Sequence, residues 1–152
     1  MKINHVWSIL CEKSIIDADN NLISLIGAME QLTINVTVKE AKDINKEIKV
    51  TTIQYEVVSF WTKDEKKEVN GFVDISILNP NGQEKQLFTH ELSIPIDKRR
   101  FRTRLKINGM VVKEDGIYYF LVKYRDNKEA KNQEVARLPL EIIVKKQVKK
   151  LN

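Results

Sequence analysis

The chain has 152 residues, 42% of them hydrophobic and 31% charged, which are the proportions of one soluble globular domain. With three prolines and five glycines it has no collagen-like or linker segment, and no apolar run approaches the ~20 residues that a membrane helix needs. The single cysteine, Cys11, excludes an intramolecular disulfide. Because residues 1–20 also lack the pattern of a secretory leader, we expect a cytoplasmic protein with no membrane contact.

The net charge is +5, and the basic excess lies in the second half of the chain. Such an asymmetry is typical of proteins that bind anionic surfaces. It is equally typical of a fold whose two ends differ.

Alternation of apolar and polar residues predicts a first strand over residues 2–11. His5 falls on its apolar side, together with Ile3, Trp7, Ile9 and Cys11. Residues 17–21, rich in Asp and Asn, are typical of a turn. Their oxygen ligands resemble those of a calcium loop, but Leu22 and Ala28 stand where that loop needs Gly and Glu, so a plain turn is preferred.

Residues 22–31 allow two interpretations. Their apolar residues have helical spacing, whereas residues 32–38 follow with strict alternation. We prefer a strand that is bent or bulged at Gly27 and continues as a second strand, and a short helix is the alternative. The polar residues 40–49 predict a loop or one helical turn.

The middle of the chain contains its clearest turn. Residues 79–82, Asn-Pro-Asn-Gly, match a type I turn, so residues 72–78 and 86–94 are predicted to pair as a hairpin. Before it, residues 51–62 predict a strand with a bulge at Val57-Val58, and the charged residues 63–70 predict a hairpin tip.

Three strands complete the prediction, over residues 101–110, 114–125 and 134–144. The second of them is apolar on both faces, which indicates a central strand that is covered on both sides. We therefore expect one domain over residues 1–145 and a frayed basic tail over residues 146–152.

Seven to nine short strands without a long helix predict an all-β fold, an antiparallel β-sandwich. Asp115-Gly116-Ile117-Tyr118, with Phe120 two residues on, resembles the tyrosine-corner strand of immunoglobulin-like domains. Here the Asp is one residue nearer to the Tyr than usual, and no Cys or buried-Trp pairing accompanies it. The resemblance implies an immunoglobulin-like fold, without implying a function.

A second resemblance lies at the N-terminus. The run from Val6 to Cys11, followed by the segment from Asn21 to Gly27, resembles a group of short uncharacterised bacterial proteins. That resemblance implies a bacterial protein and carries no activity with it.

A row of basic residues is the sharpest candidate for a ligand site. Alternate residues of a strand are about 7 Å apart, which is close to the spacing of phosphates along one nucleic-acid strand. We expect no aromatic residue on this face, whereas strong single-strand binders stack bases on aromatics. The alternative interpretation, which we prefer, is a solvated or aggregation-resistant edge. The row comprises Lys98, Arg99, Arg100, Arg102, Arg104 and Lys106.

No residue pattern indicates catalysis or a metal site. With His5 and His90 as the only histidines and one cysteine, a multi-histidine or cysteine zinc site is excluded. Both histidines fall on predicted apolar faces, and Cys11 is best interpreted as a buried thiol. No nucleophile elbow, phosphate loop or metalloprotease helix motif is present. We therefore expect a non-enzymatic protein without a cofactor or metal.

The remaining hypothesis is an interaction or assembly module that binds another protein or itself. Phe60 and Trp61 are adjacent at the end of a strand, so one of them should point outward and contribute to a partner surface. The strands that flank the 79–82 turn are the other candidate contact. Binding of nucleic acid or another polyanion through residues 98–106 is the alternative function.

Overall fold

A computed structural model describes residues 2–150 of the chain. These residues form nine strands and one 3₁₀ helix, Ala41–Asn45. The strands are β1 Asn4–Ile16, β2 Ile23–Ala28, β3 Gln31–Val38, β4 Ile48–Thr62, β5 Val69–Leu78, β6 Glu84–Ile94, β7 Arg100–Val112, β8 Gly116–Arg125 and β9 Gln133–Val148.

The strands build two sheets, which confirms the predicted β-sandwich. One sheet has four strands in the order β2-β1-β4-β7, and the other has five in the order β3-β9-β8-β5-β6. All neighbours are antiparallel except β3 and β9, which run parallel. The inner faces of both sheets supply one hydrophobic core.

Strand β8 is the centre of the five-stranded sheet, as predicted. Tyr118, Phe120, Val122 and Tyr124 fill its inner face and are all but inaccessible. On the outer face Leu121 is buried, but Ile117 is 47% exposed. The expectation that both faces are covered therefore holds for only part of the strand.

The core is closed by aromatic side chains from both sheets. Trp61 is fully buried, stacks on Phe101 at 6.2 Å and donates its indole N–H to the Thr103 hydroxyl at 3.0 Å. Tyr55 meets Phe120 edge-on at 5.5 Å. The Tyr55 hydroxyl donates to the Gly109 carbonyl at 3.1 Å. Because the polar atoms of both side chains have hydrogen-bond partners, the cost of burying them is offset.

The tyrosine-corner bond is present. The Tyr118 hydroxyl donates to the carbonyl of Glu114 at 2.9 Å, and the carboxylate of Asp115 accepts the backbone N–H of Val144. The two contacts fix the entry of β8 against the end of β9.

Residues 22–31 form a strand and not a helix, but the strand does not continue as predicted. Strand β2 ends at Ala28, and β3 begins at Gln31 in the other sheet. Gly27 adopts φ +66°, the left-handed conformation that glycine tolerates best. The chain crosses between the sheets at residues 29–30, just after Gly27, where a single bulged strand was expected.

Two further predictions of the sequence are corrected. Residues 63–68 connect β4 in one sheet to β5 in the other, so they are not a hairpin tip. Strand β9 continues to Val148 in parallel register with β3, so residues 146–148 belong to the sheet and not to a frayed tail. Residues 151 and 152 lie outside the described part of the chain.

The predicted hairpin at residues 79–82 is confirmed, and the bulge of β4 lies elsewhere. The Gly82 N–H donates to the Asn79 carbonyl at 2.9 Å and joins β5 to β6. The register of β4 against β7 slips between Val50 and Gln54, several residues before the predicted bulge. Residues 56–58 are nevertheless buried on both faces of the strand.

Candidate functional site

The two sheets part along one side of the sandwich. Strand β6 is the edge of the five-stranded sheet and pairs only with β5, and β7 is the edge of the four-stranded sheet and pairs only with β4. Between these two edges run two cavities that share both strands as walls. We call them together the β6/β7 groove.

The larger part of the groove has a volume of about 940 Å³. Its floor comes from the core side of four strands, and its mouth lies beside the β5–β6 turn. Half-buried apolar side chains such as Leu87 and Phe88 line it, next to nearly buried ones such as Met110. Further apolar lining residues are Tyr55, Ile77 and Ile107.

The smaller part has a volume of about 500 Å³ and continues along the same two strands. Leu92 and Phe101 lie at its base, and Lys98 and His90 lie at its rim. His90 is exposed, which corrects its predicted place on an apolar face.

Two irregular pairings shape the groove walls. The register of β5 against β6 shifts between Ile75 and Ser76, so that Leu87 is an extra residue and both Leu87 and Phe88 reach the core. On the opposite wall Gly109 adopts φ +76°, and a β-carbon there would lie 2.8 Å from the Val50 carbonyl. The backbone of β4 and β7 thus comes too close for any residue but glycine.

The predicted basic row divides into two groups. Arg102 donates to the Asn21 carbonyl at 2.9 Å, and Arg104 donates to the Ser14 hydroxyl and carbonyl at 2.7 and 3.1 Å. Arg104 also lies 3.9 Å from the buried Glu56 carboxylate. The β1–β2 hairpin therefore reaches across β4 to β7 and holds two of the six cations. The other four, Lys98, Arg99, Arg100 and Lys106, are exposed.

This crossing hairpin explains why β4 is buried on both faces. Val58, which pairs with Arg104 and Ile9, is fully inaccessible although it lies on the outer side of the sheet. Glu56 accepts a hydrogen bond from the Ser14 hydroxyl under the same cover. Cys11, directly opposite Glu56, is the buried thiol that was predicted, and burial raises its pKa.

The outer face around Arg102 does contain aromatic residues, contrary to expectation. A register shift between His5 and Trp7 turns Trp7 outward, where it lies 5.8 Å from Phe60. Phe60 pairs with Arg102 across β4 and β7. Trp61 is fully buried, so of the predicted pair only Phe60 contributes surface. The one-residue shift thus places Trp7 on the outer face of the sheet and leaves His5 on the inner face.

His5 belongs to a polar chain inside the sandwich. Its Nε2 lies 2.7 Å from the Ser8 hydroxyl, which lies 2.6 Å from the Ser59 hydroxyl. Its ring meets Trp61 edge-on at 5.1 Å. Burial lowers the pKa of His5 despite a hydrogen bond with the Trp7 backbone. Within residues 2–150 no carboxylate joins this series of side chains, and its hydrogen bonds satisfy part-buried polar atoms.

Lys63 is the least expected polar residue of the molecule. It is 2% exposed, and its ammonium group donates to the carbonyls of Lys67, Ile94 and Pro95. It thereby joins the end of β4 to two places: Lys67, in the connection before β5, and the end of β6. Its place in a charged segment gave no signal of this, because two of the three carbonyls, those of Ile94 and Pro95, lie 31 and 32 residues away in the sequence.

Within residues 2–150 no three His, Cys, Asp or Glu side chains are grouped as a metal site requires. The turn at residues 17–20 is held by the Asp17 carboxylate, which accepts the N–H groups of Asp19 and Asn20. In the same described range, no helix has the length and apolar character to cross a membrane.

Comparison with known proteins gives remote structural similarity alone. No family model matches the chain, and no curated protein matches it. Among solved structures it is similar to a β-glucosidase from Listeria innocua in complex with glucose, with a TM-score of 0.46 and 7% identity. That match covers 76% of this chain and 15% of the enzyme.

Two other solved structures show a comparable likeness. A family 123 glycoside hydrolase from Clostridium perfringens gives a TM-score of 0.40 at 10% identity, over 99% of this chain and 28% of that one. The N-terminal domain of PorA gives 0.27 at 9%, over 91% and 98%. The chain spans less than a third of the two hydrolases, and at these scores none of the likenesses bears on function.

Proposed function

We propose that this protein is a non-enzymatic interaction module that binds an extended segment of another protein in the β6/β7 groove. One observation carries the proposal: two long edge strands, of 11 and 13 residues, face each other across an open apolar floor. Unpaired edges are templates for further strand pairing, and natural proteins usually shorten or cover them.

An added strand would pair with a free strand edge of the groove and would cover its apolar floor. Its backbone would pair with the free N–H and C=O groups of β6 or β7, which gives affinity that does not depend on sequence. Its inward side chains would cover the half-buried Leu87 and Phe88, which gives specificity. A flat exposed face would offer only the second of these contributions.

The strand order supports an immunoglobulin-like arrangement, and we propose it for this domain. Strand β4 lies between β1 and β7 as strand B lies between A and E, and β8 lies between β5 and β9 as F lies between C and G. The Tyr118 bond to Glu114 occupies the expected place at the start of the F-like strand. The single buried thiol of Cys11 supports a reducing, cytoplasmic compartment.

Selection from a displayed peptide library against the purified domain tests the binding function. We expect enriched peptides to lose binding when Leu87→Glu places a charge in the groove. Ile117→Glu is the matched control, because Ile117 is 47% exposed on the outer face of the five-stranded sheet and does not line the groove. Circular dichroism would check that both variants are folded.

Two results would contradict the proposal. The library could yield no peptide above background, or the enriched peptides could bind Leu87→Glu as well as the unchanged protein. In the second case the contact lies elsewhere, and Ile117→Glu and Trp7→Ala then locate it.

We propose polyanion binding as the second candidate function, on the outer face of the four-stranded sheet. The observation that favours it is that Phe60 lies against Trp7 and pairs with Arg102, two residues from the exposed Arg100 on the same face of β7, since aromatics beside cations are what single-strand binders use. We expect binding of a labelled single-stranded DNA to fall steeply with salt and to require both Arg100 and Trp7. Binding that survives Trp7→Ala would contradict the proposed stacking.

A further inference from the structure

The charges at the groove point to the chemistry of its partner. Four lysines line it, and none of their ammonium groups has a carboxylate partner within residues 2–150. They are Lys49, Lys85 and Lys106 in the larger part and Lys98 in the smaller part.

The acidic residues of the groove do not balance them. Glu84 is already paired with Lys123 on the outer face of the five-stranded sheet. Glu47 and Glu91 are the remaining carboxylates of the lining. The groove therefore has an apolar floor and walls with an excess of positive charge, a combination that favours a ligand with both apolar and acidic groups.

A second copy of this chain does not supply such a ligand through its free edges. Strands β2 and β3 contain no acidic residue, and neither does β7. The fourth edge, β6, contains two, but Glu84 is already paired with Lys123, which leaves Glu91 as its one acidic residue without an ion-pair partner in the described residues. Antiparallel pairing of β7 with a second β7 would place rows of Arg and Lys opposite each other, which is destabilising. The occupant that fits is a foreign segment.

We propose that the β6/β7 groove binds an extended peptide segment in which apolar residues alternate with Asp or Glu. Successive side chains of a strand point to opposite sides, so one set reaches the floor near Leu87 and Phe88 while the other reaches the lysines of the walls. The inference rests on the proposed function and names the ligand of that site. The strand edges alone would pair with any extended peptide, and the charge of the lysines selects the acidic ones.

Three labelled peptides as long as β6, which has 11 residues, test this. Each alternates an apolar residue with Glu, Ser or Lys, and fluorescence anisotropy measures the dissociation constants at low and high salt. We expect the Glu peptide to bind best and the Lys peptide worst. High salt should narrow the difference, because exposed charges are screened.

Charge reversal at the groove provides the matched variant. We expect Lys85→Glu combined with Lys106→Glu to weaken the Glu peptide about tenfold and to strengthen the Lys peptide. Lys128→Glu combined with Lys131→Glu, both in the exposed β8–β9 connection, makes the same change in net charge and should change the binding of neither peptide by more than about twofold.

The outcomes separate this inference from the function beneath it. Equal binding of the Glu and Ser peptides, lost in Leu87→Glu, would overturn the acidic ligand and leave the groove as a peptide site. Absence of binding by all three would overturn both. Binding of the Glu peptide that survives Leu87→Glu and is displaced by heparin would show a general polyanion surface, and would likewise overturn the proposal.

Discussion

The centre of the sandwich and its β6/β7 side use the same kinds of residue and bury them to different degrees. Around Trp61 the rings of both sheets meet, and the indole N–H has its partner in Thr103. Along the groove Leu87 and Phe88 are covered on one side only, and two strand edges have no neighbour. The first region is a core that is covered on all sides. The second has core-type residues but lacks a strand that would cover them. The difference shows where a partner can add stability and where it cannot.

The largest expected effect tests the covered core. Trp61→Ala should lower the free energy of unfolding by about 3–5 kcal/mol, because it leaves a cavity and frees Thr103. Leu87→Ala should cost only about 1 kcal/mol, since its side chain is half exposed. Urea unfolding measures both, and equal losses would mean that the groove is as much a part of the core as Trp61.

Lys63 tests whether the end of the groove is held by its ammonium group. Lys63→Met keeps the length of the side chain but leaves three carbonyls without their donor, so we expect a loss of about 2 kcal/mol. Thermal unfolding measures it. The exposed Lys66→Met should stay within about 0.5 kcal/mol of the unchanged protein. If both variants unfold alike, the buried position of Lys63 contributes nothing.

A pair of glycines isolates the close backbone approach in the groove wall. Gly109 and Gly82 both have positive φ, but only Gly109 has a carbonyl where a β-carbon would stand. Gly82→Ala should therefore cost about 1 kcal/mol from backbone strain alone, and Gly109→Ala roughly twice that. Denaturant midpoints measure the difference. A Gly109→Ala cost no larger than that of Gly82→Ala would show that the wall yields to the added methyl.

The smallest effect is a pH dependence from His5. Its pKa is lowered by burial from the ordinary 6.5, so the folded state disfavours the proton that the unfolded state accepts. The contribution of neutral His5 to the free energy of unfolding should be fully present above pH 6.5. It should decline as the pH falls through 6.5 toward the pKa of the folded state. Unfolding curves between pH 7.5 and 5 measure it, with an expected change below about 1 kcal/mol. His5→Asn should remove the slope, and retention of the slope in that variant would assign it to another group.

The sequence predicted the elements better than their assembly. Residues 79–82 have turn chemistry that acts locally, and the alternation of β7 correctly separates Phe101 from Arg102. Alternation states which residues share a face, but not which sheet the strand joins. The crossing at residues 29–30 and the sheet change over residues 63–68 were missed for this reason.

The groove depends on sheet order, so no single segment could have revealed it. That β6 and β7 are both edges and face each other follows only from the pairing of all nine strands. Bulges added a second error, because one extra residue before Trp7 reverses the alternation and moved an aromatic onto the face that the sequence showed as purely basic. The prediction named a row of basic residues on this face but missed the aromatic residues beside it.

Hydrogen–deuterium exchange of the domain with and without the best peptide tests the central claim most directly, because it reports where backbone amides gain protection. We expect new protection in β6 and β7, residues 84–94 and 100–112, with little change in β2 and β3 at the opposite edges. Protection confined to β2, β3 or the strand segments around Trp7 and Phe60 would contradict the account and move the binding site to another face.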